Sequence, residues 1–212
     1  MAEPDRPLFI FDLDDVLYSF DWRARMAALS ELTGLAFEEL RARWWHSEGE
    51  RAAEAGRFAD ADEYLAAFSA ALGVPVTEVD WVRIRGAAMT PLPGSLAAVR
   101  RAKDRGRITL LTNNGPLTLK HLHRLAPELP PLFGPHLLTS SHYGARKPDP
   151  AVFERVLAAY ATPAPRAFFA DDYPPNVAAA RGLGITAHLF TEPAALTQAI
   201  EDFAAGLTGP AG

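Results

Sequence analysis

Short apolar runs recur along the chain at PLFIFD, RITLLTN, PHLLTSS, RAFFADD and ITAHLF, and this spacing most narrows the folds open to it. Each run is bounded by turn or polar residues and is the length of a buried strand. Helical stretches separate the later ones. GSLAAVRRAKDRG puts Leu96, Val99 and Ala102 on one side and stops at Gly106, and NGPLTLKHLHRLA opens on Pro116, a good first helical residue. KPDPAVFERVLAAYA offers Asp149 as an N-cap before Pro150, and PPNVAAARGLG ends on glycines. Strand alternating with helix predicts an α/β fold, a doubly wound parallel sheet with helices on both faces.

One interval breaks the alternation. From about Tyr18 to Thr90 the chain reads as helices throughout: WRARMAALSELTG, AFEELRARWWHSEGERAAEAG, DADEYLAAFSAALG and VTEVDWVRIRGAAM. Asp60 and Glu63 form a capping box at the start of the third, and TPLPG after the fourth is a stiff return. The expected organisation is a core of residues 1–17 and 91–212 carrying an inserted all-α cap domain, 18–90. With 212 residues, 49% of them hydrophobic, the chain can bury one sizeable core with such an insertion.

The first strand raises an electrostatic question. LFIFDLDD places Asp12, Asp14 and Asp15 at the end of a buried run. Two like charges about 4 Å apart repel by roughly 4 kcal/mol at an effective dielectric near 20, so a positive partner is required. Ligands in open parallel sheets sit at the carboxyl ends of strands, near the point where strand order reverses. The residues expected there are Asp12 and Asp14, then Thr112, Asn113 and Asn114, then Asp171 and Asp172. Lys147 precedes a helix start after the third expected strand; only Lys103, Lys120 and Lys147 among the 21 basic residues are lysine, so each is notable as a compact point charge.

In order and spacing these segments resemble the four motifs of the haloacid dehalogenase superfamily, in its branch with a helical cap after the first strand. DLDDV is similar to the D-x-D-x-[TV] motif, with Asp15 where glycine is usual; LLTNN, RKPDP and FFADDYPPNVAAARGLGI are similar to the other three. The resemblance spans Leu8 to Phe190. It implies a Rossmann-like core in which Asp12 is the nucleophile of phosphoryl transfer and Asp14 the acid and base. It also implies an all-oxygen Mg²⁺ site from Asp12, the backbone carbonyl of Asp14, Asp171 and Asp172. Thr112, Asn113, Asn114 and Lys147 would bind phosphate beside a helix N-terminus, with Asn176 orienting the metal shell or Lys147.

The expected activity is therefore Mg²⁺-dependent hydrolysis of a small phosphorylated metabolite, such as a sugar phosphate. A phosphosugar mutase, a 2-haloacid dehalogenase and a binding protein without turnover are the alternatives. Asp14 favours phosphoryl chemistry, because a halide leaving group needs no acid. Trp44, Trp45 and His46 read as cap packing and as candidates for substrate specificity. A net charge of −5 offers no basic footprint for nucleic acid. No stretch has the apolar length of a membrane span and the N-terminus lacks a signal peptide's pattern, so a cytoplasmic protein is expected; the absence of cysteine fits a reducing compartment.

Overall fold

A computed structural model describes residues 6–208. Four parallel strands form the central sheet: β1 (Leu8–Phe11), β4 (Arg107–Leu110), β5 (Ala167–Asp171) and β6 (Thr186–Leu189), in the order β4-β1-β5-β6. Alternation of side chains along β1 feeds two apolar clusters. Phe9 and Phe11 join the cluster holding Leu96 and Val99 of α6 (Pro93–Arg105) and Leu196 and Ile200 of α11 (Pro193–Thr208). Leu8 and Ile10 join Val152 and Phe153 of α9 (Pro150–Ala159) and Val177 of α10 (Pro174–Gly182) on the opposite face. Burying each such large side chain contributes about 1.5–3 kcal/mol. The sheet is thus doubly wound, and its order reverses at β1, whose carboxyl end carries Asp12.

The run PHLLTSS does not form the expected strand. Short 3-10 turns at Gly134–His136 and Ser140–Tyr143 flank it, and only Thr139 bridges to Thr112. Gly134, at φ 55°, and Pro135 turn the chain before pairing can extend. What survives is the useful part: the Ser140 N–H bonds to the Thr112 carbonyl at 2.8 Å, fixing the loop against the second strand end.

The interval after β1 is not helical throughout. It opens and closes with an antiparallel ribbon, β2 (Tyr18–Phe20) against β3 (Met89–Pro91), paired Tyr18 to Pro91 and Phe20 to Met89. Between them lie α1 (Trp22–Thr33), α2 (Phe37–Leu40), α3 (Gly49–Glu54), α4 (Ala61–Leu72) and α5 (Glu78–Ala87). Asp21 caps α1 by accepting from the Ala24 N–H, and Asp60 caps α4 by accepting from Asp62 and Glu63. Glu63 completes the box one residue early, on the Ala59 N–H at 2.6 Å. The single helix expected over AFEELRARWWHSEGERAAEAG is broken by a π turn at Arg41–Trp45. That wider turn delivers Trp44 into a nest of Phe58, Tyr64 and Phe68, against Gly49, where a Cβ would lie 2.5 Å from the indole.

This inserted segment shares one apolar cluster with the face of the sheet that carries Phe9 and Phe11. It also sits directly on α7 (Pro116–Leu125): a Cβ on Gly115, the residue before that helix, would lie 2.9 Å from the Ala53 methyl.

Candidate active site

Lys147 is the positive partner of Asp12 at the end of the first strand. Its ammonium, 1% exposed, lies 2.9 Å from Asp12 Oδ1 and 2.6 Å from Asp171 Oδ2. Burial alone would depress Lys147, but the two carboxylates outweigh it and hold the ammonium above the usual lysine range. Burial pushes the Asp12 carboxyl well up, against the pull of Lys147 and with the push of Asp171 and Asp14. Asp12 is fixed from three directions. Its N–H continues the pairing to the Ala170 carbonyl at 3.0 Å, its Oδ1 takes the Leu13 N–H at 2.8 Å, and Lys147 holds the same oxygen. Among the described residues nothing hydrogen-bonds Oδ2, which leaves that oxygen available for attack.

Asp12, Asp171 and Asp172 bring one carboxylate oxygen each within 4.8 Å of one another. Asn176 donates to both Asp171 oxygens, at 3.0 and 3.1 Å, so it orients that carboxylate and makes no hydrogen bond to Lys147. Its own Oδ1 is buried without a partner, an acceptor left for a hydrated cation. Burial and the neighbouring Asp171 and Asp15 raise the Asp172 carboxyl. Crowded, hard oxygen donors of this kind fit Mg²⁺.

The phosphate-side residues divide their work differently from the expectation. Asn113 does not offer its side chain to a ligand; its Nδ2 donates to the Lys147 carbonyl at 2.8 Å and its Oδ1 accepts the Lys147 N–H at 2.9 Å. It therefore positions Lys147, while its own N–H makes no bond within the described protein. The Asn114 N–H is already donated to Ser140 Oγ at 3.3 Å. Thr112 Oγ1 accepts from Asn114 Nδ2 at 2.8 Å, which leaves the hydroxyl hydrogen free to donate.

Asp14 stands apart from the metal-competent carboxylates. Arg85 of α5 places Nη2 at 2.8 and 2.6 Å from its two oxygens, and Asn114 Nδ2 lies at 3.4 Å. Arg85 is 1% exposed and stacks on the Phe20 ring at 4.0 Å. Sequence reading missed it. The available signal was its place four residues after Trp81 on the apolar side of α5, where a charged residue calls for a buried partner.

The family model for haloacid dehalogenase-like hydrolases matches residues 7–184. The chain belongs to this family. A phosphatase of Mycobacterium tuberculosis is 29% identical over 185 residues, covering 85% of each chain. Among solved structures, a HAD family enzyme of Bacteroides thetaiotaomicron, crystallised with magnesium and inorganic phosphate, superposes with a TM-score of 0.72 at 17% identity, over 88% of this chain and 95% of its own. A 2-haloacid dehalogenase of Pseudomonas syringae superposes with a TM-score of 0.62 at 20% identity, over 86% and 85%.

In this haloacid dehalogenase-like hydrolase the aromatic pair of the cap serves two ends. Trp44, 3% exposed, is packing, its Nε1 donating to Glu50. Trp45 is half-buried, meets Trp22 edge-on at 5.0 Å between centroids and lies 5.4 Å from the Arg25 guanidinium. His46 is exposed, with no side-chain bond among the described residues. Asp15, the departure at the glycine position, is exposed at φ 58°; its N–H bonds to the Tyr18 carbonyl and its Oδ1 accepts the Phe20 N–H at 3.0 Å. It ties the strand end to the ribbon.

Proposed function

We propose that this hydrolase is a Mg²⁺-dependent phosphomonoesterase acting on a small phosphorylated metabolite through an aspartyl-phosphate at Asp12, with residues 18–90 as its cap. The observation carrying this reading is Asp14 beside a nucleophile whose Oδ2 is unbonded: a second carboxylate is needed to protonate an ester oxygen and is superfluous for a halide. The likeness to a mycobacterial phosphatase supports it.

Asp12, Asp171 and Asp172, with the Asp14 backbone carbonyl, would hold the Mg²⁺. When bound, the ion supplies charge neutralisation for the carboxylates and the phosphoryl oxygens. Asp12 Oδ2 attacks phosphorus as the ester oxygen leaves, and Asp14 gives that oxygen its proton. Asp14 then takes a proton from the water that attacks phosphorus and releases phosphate, restoring the Asp12 carboxylate. Lys147, the Thr112 hydroxyl and the Asn113 N–H stabilise charge on the transferring group.

Phosphate release from an aryl phosphate and a panel of metabolite esters, with Mg²⁺ and with chelator, tests the reading. Activity lost in chelator and in Asp12→Asn is expected. Chloride release from a 2-chloro acid with no ester turnover would replace it with a dehalogenase.

A further inference from the structure

Two arginines of the cap lie buried, Arg85 against Asp14 and Arg25 beside the same Phe20 ring that Arg85 stacks on, and their immediate surroundings are mostly aromatic. Arg25 of α1 is 5% exposed, with its guanidinium 5.4 to 6.0 Å from the rings of Phe20, Trp22, Trp45 and Trp81. Among the described residues its side chain has no hydrogen bond or ion pair. Glu50 acts on it only through its charge at longer range, while its Oε2 accepts from Trp44 Nε1 and from Tyr64 Oη at 3.2 Å. Burial depresses the Arg25 guanidinium, and the neighbouring charge of Arg85 depresses it further. Arg85 shares the Phe20 ring and keeps its Nε buried without a partner. Packed rings account for the shape of this cluster but leave two like charges close together in a dry setting.

We propose that Arg25 and Arg85 form an anion subsite for a second negatively charged group, a carboxylate or a phosphoryl, on the leaving-group portion of the substrate. The position of Asp14 gives the direction. The phosphoryl group belongs on the side of Lys147, Thr112 and the Asn113 N–H, whereas Arg85 lies against Asp14, which meets the leaving oxygen. One Arg85 nitrogen serves both Asp14 oxygens. When Asp14 carries the proton it gives the ester oxygen, its negative charge no longer answers Arg85, and a substrate oxyanion would take over that role. A planar guanidinium suits either oxyanion geometry. The inference rests on the phosphomonoesterase reading for where the reacting phosphorus sits.

Two matched pairs test it. O-phosphoserine differs from phosphoethanolamine by a carboxylate, and fructose 1,6-bisphosphate differs from fructose 6-phosphate by a phosphoryl group. In the wild-type protein with Mg²⁺, kcat/KM should favour the more anionic member of at least one pair by about tenfold or more, and which pair responds identifies the oxyanion. Arg25→Met should bring that ratio close to one, and Arg25→Lys should keep part of it. Calorimetric binding of each pair to Asp12→Asn reads the same preference without turnover. Ester hydrolysis with both wild-type ratios within about twofold of one, or an unchanged ratio in folded Arg25→Met, would overturn the subsite. No hydrolysis of any ester would instead overturn the phosphomonoesterase reading. The calorimetric ratios would then decide the subsite alone, a preference supporting it and none overturning it.

Discussion

At Asp15 the backbone is left-handed, φ 58°, a conformation glycine reaches without strain and aspartate tolerates better than most residues. Asp15→Gly should leave stability within about 1 kcal/mol of wild type, while Asp15→Val should cost about 1–3 kcal/mol, measured by urea unfolding. The opposite ranking would show that the Asp15 to Phe20 bond governs the turn. Lys147 is the harsher case. Lys147→Met leaves Asp12 and Asp171 facing each other in a buried site, so a loss of about 3–5 kcal/mol in metal-free buffer is expected. Phosphate release should fall about a hundredfold or more. The lysine was legible in the sequence as one of three, and all three prove to be employed. Lys103 reaches the Pro131 and Leu132 carbonyls, and Lys120 bonds Glu78 at 2.7 Å. The division of work between Asn113 and Asn114 was not legible, because it depends on where Ser140 and the Lys147 backbone come to rest.

Among the elements, the cap's contact with the core turns on two small residues. Gly115→Ala would put a methyl 2.9 Å from Ala53, at a cost of about 1–3 kcal/mol, and Ala53→Gly in the same chain should recover most of it. Equal thermal midpoints for the single and double variants would count against this close approach. A second contact carries a pH signature. Glu54, paired with Arg146, is raised to about 7 by burial and by Glu50, against the opposing pull of Arg146 and Lys147. Between its ordinary value of 4.5 and that raised one, the folded protein binds more protons than the unfolded chain. Stability therefore falls as pH rises through this window, by up to about 3 kcal/mol, and the effect is complete above it. Glu54→Gln should flatten that slope in thermal melts; an unchanged slope would assign it elsewhere. The helices of the cap were readable from periodicity and caps such as Asp60, but the ribbon and the π turn were not. Two three-residue strands carry no periodic signal, and the break at Arg41–Trp45 answers to where Trp44 packs.

The molecule as a whole is a doubly wound sheet whose order reverses at β1, so that residues about 160 positions apart in sequence share one site. That much followed from the alternation of apolar runs and from four motifs in order. The third run, PHLLTSS, shows where alternation misleads: turns on both sides reduce it to a single bridge, yet that bridge still fixes the loop beside Thr112. Arg25 and Arg85 stayed hidden for a related reason, since an arginine on a helix reads as solvated until the fold closes over it. The covalent step at Asp12 is what the rest of the mechanism depends on. Acid-quenching the wild-type protein during steady turnover of an aryl phosphate with Mg²⁺, followed by mass spectrometry of its peptides, tests that step directly. A phosphoryl group on the peptide bearing Asp12, absent from Asp12→Asn, is the predicted result. Full turnover in Asp12→Asn, or a phosphoryl group carried by a different residue, would contradict it.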